Sequence, residues 1–139
     1  MTTIQDLSAA AAAAEDWVDD LAQRLGWRDR QRVYLALLGA LHALRDCLAG
    51  DEAVYLGEHL PPLLRGLYYE GWHPGGIRSA KSRTAFLERI HEGVHRDPGI
   101  DAEQVARAVF SLLVARLPPA EVEDAKAAMP TALHNLWPS

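Results

Sequence analysis

Sliding the sequence against itself by 69 residues aligns its two halves without a gap. Trp17 meets Phe86, Val18 meets Leu87, Leu21 meets Ile90 and Leu25 meets Val94. Further on, Leu41 meets Phe110, Leu44 meets Leu113, Leu48 meets Leu117, Leu64 meets Leu133 and Tyr68 meets Trp137. An apolar pattern kept in register over half a chain points to two copies of one unit, residues 8–70 and 81–137. Residues 71–80, with Pro74-Gly75-Gly76, connect them.

The spacing inside each copy is helical. In the second, Ser82 can cap a helix running to about His95, and Asp97-Pro98-Gly99 breaks it. Asp101 caps the next helix, with Gln104 three residues on as its capping-box partner. Val105, Val109, Leu112, Leu113 and Leu117 form one stripe along it. Pro118-Pro119 starts a third helix and Pro130 a short fourth ending near Trp137. In the first copy a helix ends near Leu25-Gly26. The second covers about Arg28 to Ala49, with Val33, Leu37, Leu41, Leu44 and Leu48 on one face. Gly50-Asp51 starts the third and Pro61-Pro62 the fourth. Gly39 falls opposite Ala108, and two small residues in mid-helix suggest a close crossing.

Composition agrees: Ala (23) and Leu (20) far outnumber Val, Ile and Thr, which total 16. A lone apolar stripe cannot be buried, so the expectation is an all-α fold. Two tandem related four-helix units would pack as one compact helical bundle, a single domain over residues 1–139.

With 14 Lys plus Arg against 19 Asp plus Glu, the net charge is -5, which disfavours general nucleic-acid binding. Arg78, Lys81, Arg83 and Arg89 form a local basic run opposed by Glu88, and read as a solvated linker and helix face. The single cysteine, Cys47, allows no intrachain disulfide and fits a small buried side chain in a reducing compartment. No apolar run approaches the ~18 residues of a membrane span, and the Ala9 to Ala14 tract reads as helix rather than signal peptide. The expected location is the cytoplasm, with no membrane partner.

Three segments carry a resemblance. Leu60-Pro61-Pro62-Leu63-Leu64-Arg65-Gly66, Tyr68-Tyr69-Glu70-Gly71-Trp72-His73-Pro74, and Met129-Pro130-Thr131-Ala132-Leu133-His134-Asn135-Leu136-Trp137 resemble the bacterial family known as domain of unknown function 2267. The resemblance covers nearly the whole chain. It implies an all-α domain of two related halves. It implies no activity, no cofactor and no catalytic residue.

His91-Glu92-Gly93-Val94-His95 matches H-E-x-x-H, which on a helix offers two imidazoles to zinc and a glutamate as base. The equivalent stretch of the first copy is Ala22 to Gly26, His95 falls at the helix end, and no third ligand follows at a suitable spacing. The string therefore reads as surface histidines, with His91 and His95 kept as metal candidates. No phosphate loop and no nucleophile elbow occurs. Glu52 and Glu121 occupy the same place in the first turn of the third helix of each copy, which the helix dipole explains.

Tyr34, Tyr55 and Trp27 face Glu103, Asp124 and Arg96 in the other copy, so they pack between the copies or form a patch for a partner. The candidate site is the connector end of the first copy: Arg65, Tyr69, Glu70 and Trp72. Gly71 can turn Trp72 back onto the preceding helix. Trp72 would then either plug the seam between the copies, with Arg65 on carbonyls or paired with Glu70, or wall a crevice with Tyr69. In the crevice Arg65 would anchor an anion and Glu70 would accept. The expected function is a non-enzymatic binding or protein-interaction module, with an unknown protein or a second copy as partner. The alternative is a metal-dependent hydrolase built on the His91–His95 string.

Overall fold

Side chains that accept from the first orphan N–H groups start most of the long helices. A computed structural model describes residues 3–74 and 82–139. Thr3 caps α1 (Ile4–Leu25), and Asp6 returns the bond in a reciprocal capping box. Asp29 accepts from Gln31 and Arg32 N–H and starts α2 (Arg30–Cys47). Ser82 starts α5 (Arg83–Gly93) and Asp101 starts α6 (Ala102–Arg116). Prolines open α4 (Pro62–Tyr69) and α7 (Pro119–Ala128), and Glu52–Glu58 forms α3. A 3₁₀ helix, Thr131–Leu136, closes the chain. Among the described residues the elements are helical and none is a strand.

Several boundaries differ from the sequence expectation. The second helix is shorter at both ends than residues 28–49, because Asp29 caps it and Leu48 is already extended. The Asp101 cap is one-sided, with Gln104 contributing its backbone N–H. The short fourth helix of the second half is present and is of the 3₁₀ type. The helix expected to reach His95 stops at Gly93, since His95 (φ 57°) and Arg96 (φ 54°) lie in the left-handed region. Arg96 N–H closes that end on His91 O at 2.8 Å. The same bond ends α1, from Trp27 N–H to Ala22 O at 3.1 Å, where Gly26 takes φ 72°.

α2 is the central helix. Val33, Ala36, Leu37, Ala40, Leu41, Ala43 and Leu44 are all fully buried. It packs on α1, α4, α5 and α6, while α1 also packs on α6 and α5 on α6. One hydrophobic core therefore runs through both halves of the chain. Phe110 stacks on Trp137 with ring centroids 4.3 Å apart. At the α1–α6 contact, Arg116 bonds Asp16 and Asp20 and lies over the Trp17 ring, 5.7 Å from its centroid. The short helices form one tier in which α3 packs on both α4 and α7, while α4 also packs on α1 and α2 and α7 on α6.

The close crossing expected at Gly39 is present, but its partner is Gly93 of α5. Ala108 is half-buried on α6. Cys47 is buried, donates to Leu44 O, and has its thiol pushed up to about 12 by burial first and the Asp46 charge second. Arg78, Lys81 and the Gly75-Gly76 pair lie outside the described residues. Of the same basic run, Arg83 pairs with Glu103 and Arg89 with Asp46.

Candidate functional site

α3 and α4 are too short to hold themselves, and two arginines complete their C-terminal ends. Arg65 donates Nε–H to Gly57 O at 2.9 Å, and Nη2 to Glu58 O and Leu60 O at 3.1 Å each. These carbonyls lie at the end of α3 and in the turn after it, and Gly57 O also accepts from Leu60 N–H at 3.1 Å. Arg45, only 3% exposed, donates Nη1 to Tyr68 O and Glu70 O at 2.8 Å each, at the end of α4. Its charge is met by Asp46, which also accepts from Arg89 on α5. A guanidinium suits this use because several fixed donors reach several carbonyls at once.

Gly71, at φ 75°, turns the chain back after α4. Trp72 N–H bonds Tyr69 O at 3.1 Å, and the two rings lie 5.5 Å apart at 30°. Tyr69 in turn meets Tyr68 edge-on at 5.1 Å. The two tyrosines divide their roles. Tyr68 is fully buried and donates its hydroxyl to Ala53 O at 2.7 Å, and burial pushes its pKa far above the usual range. Tyr69 is half-buried and reaches Val54 O at 3.4 Å. It lies across Gly57, where an added Cβ would stand 2.4 Å from its hydroxyl.

Of the four candidate residues, Tyr69 and Trp72 therefore form one half-buried pair, with Tyr69 against α3. Arg65, itself exposed, holds backbone carbonyls at the same edge. Glu70 is exposed at the rim, its carbonyl held by Arg45. Val54 (37% exposed) and Tyr55 (50% exposed) continue the apolar surface on α3. Trp27 and Tyr34, like Tyr69, pack part-buried against the core, and Arg32 lies over the Trp27 ring.

His91 and His95 are not one turn apart on a helix, because α5 ends between them. The His91 ring bonds Asp97 O through Nε2 at 2.9 Å, and His95 is exposed in a left-handed conformation. Asp97 is held low by the Gly99 N–H first and by Arg32 next. Among the described residues no group of three or more His, Cys, Asp or Glu side chains is placed to hold a metal ion. Nor is any helix long and apolar enough to cross a membrane.

Sequence reasoning missed one juxtaposition. Glu52 and Glu121, at the starts of α3 and α7, meet where these helices pack. Glu121 is 7% exposed, and Oε1 of both residues is enclosed without a partner. Burial first, then the neighbouring Glu121 carboxyl, push the Glu52 carboxyl up to about 8. The Asp124 charge adds to this and His59 opposes it. The only sequence signal was their 69-residue offset, which placed them in equivalent turns without bringing them together.

The family described as "Uncharacterized conserved protein (DUF2267)" matches residues 14–136. No curated protein matches the chain.

Proposed function

We propose, from the premise that this chain belongs to the DUF2267 family of uncharacterized conserved proteins, that it is a non-enzymatic interaction module. Its contact surface is the α3–α4 edge, and a second copy of the chain is the first partner to test. The observation that carries this is the Tyr69–Trp72 pair, half-buried beside the exposed Val54 and Tyr55. Aromatic side chains part-exposed next to aliphatic ones are what the centre of a protein contact uses. Tyr69 and Trp72 supply the contact, Glu70 an acceptor at its rim, and Arg65, exposed at the same edge, ties α4 to the end of α3.

We also take 8–70 and 81–137 as two copies of one unit joined by 71–80. Supporting this, Arg65 and His134 sit 69 apart and each donates to a carbonyl five residues back, Leu60 O and Met129 O. A single buried thiol agrees with a cytoplasmic location.

The test is sedimentation equilibrium at micromolar concentration with thermal melts of wild type and Trp72→Ala. The expected result is a concentration-dependent dimer that becomes monomeric in the variant with the melting temperature nearly unchanged. A strict monomer whose Trp72→Ala variant melts many degrees lower makes Trp72 a plug and ends the reading.

A further inference from the structure

The α3–α7 seam brings together two carboxyl groups, each with one oxygen enclosed and unpartnered. Two carboxylates in contact at a buried seam repel, and neither can donate. A protonated carboxyl can donate, and one proton satisfies both groups at once. The surroundings offer little else to neutralise them. From α7, Asp124 adds a further negative charge, while Glu123 and Lys126 line the groove beside Trp137. At the end of α3, His59 Nδ1 is 4.0 Å from Glu121 Oε2, but the same nitrogen lies 3.0 Å from Tyr55 O. From α4, the Tyr68 hydroxyl is committed to Ala53 O and the Arg65 guanidinium to the carbonyls ending α3.

We propose that Glu52 and Glu121 hold a single proton between them, and that this proton keeps α3 closed on α7. On opening, both side chains reach water, Glu52 releases the proton to solvent, and each carboxylate is hydrated. Closing takes the proton back. The open fraction then rises with pH from the usual carboxylate range up to the point at which Glu52 ionises in the closed seam, and levels off beyond it. Two glutamates in equivalent helical turns would thus form a proton-dependent latch at the tier of short helices.

Native-state amide hydrogen exchange of the full chain tests this, with rates corrected for the intrinsic pH effect. For one proton, the open fraction at α3 and α7 should rise about tenfold per pH unit between about pH 5.5 and about pH 7.5. Amides of α2 and α5 should not follow it. In Glu52→Gln the rise should vanish, because the amide donates to the Glu121 carboxylate at every pH. Equal pH dependence in wild type and Glu52→Gln, or a flat wild type, overturns the proposal. Should Glu52→Gln fail to fold, carboxyl carbon NMR of the wild type decides. One glutamate titrating far above the rest supports the shared proton, and a uniform titration in the ordinary range overturns it.

Discussion

A Cβ built on Gly93 would stand 2.6 Å from the Cα of Gly39. The two glycines let α2 and α5 touch backbone to backbone. In the other direction a Cβ on Gly39 would stand 3.2 Å from Ile90 O and 3.3 Å from Gly93 Cα. Inside His91-Glu92-Gly93-Val94-His95, the middle residue thus has a packing role independent of its flanking histidines.

Gly93→Ala should therefore destabilise the protein more than Gly39→Ala. Only backbone can give way at the tighter contact, so its cost should lie at or above the upper end of the ~1–3 kcal/mol typical of overpacking. Urea unfolding of the two variants checks the order. Equal midpoints to wild type would mean that the helices do not cross this closely.

His95 occupies the left-handed position that Gly26 fills at the end of α1. An L side chain there costs roughly 1–2 kcal/mol, and glycine's greater unfolded freedom offsets part of the gain. His95→Gly should raise stability by about 0.5–1 kcal/mol, whereas Gly26→Ala should lower it. Thermal melts of both variants read the two signs.

His42 is half-buried, with Nε2 2.8 Å from Leu67 O. Burial first, then the charges of Arg45 and Arg89, lower its pKa, against the Leu67 bond and Asp46. The unfolded chain thus takes up this proton at higher pH than the folded one. Its contribution is present above about pH 6.5 and is lost as pH falls through the lowered folded value. Wild type should lose stability as pH falls from about 6.5 toward the lowered folded value, and His42→Gln should lose less. Unfolding midpoints measured across the acid range decide it.

Cys47, buried with its thiol held up to about 12, should not react with a thiol reagent in the native protein near neutral pH. One equivalent should react on unfolding in denaturant. Rapid native labelling would place the end of α2 in solvent.

What the sequence by itself determined is local. Ser82 and Asp101 mark helix starts because a cap acts within one turn of its own chain. The stripes through Leu37, Leu41 and Leu44, and through Val105, Val109 and Leu113, mark core faces because burial follows the helical period. The tyrosine and tryptophan flanking Gly71 were also legible, since that turn is written in consecutive residues. Only the tertiary structure decided which faces meet. Gly39 was a visible small residue, but its partner lies 54 positions away on a helix that no local rule selects. Arg65 read first as a carbonyl or Glu70 partner and second as an anion anchor, and the carbonyls at the end of α3 came within its reach only in the fold. Glu52 and Glu121 each looked like an ordinary first-turn acid. Their repulsion, and the proton it calls for, exist only once α3 lies on α7, because desolvation and charge act through space and not along the chain.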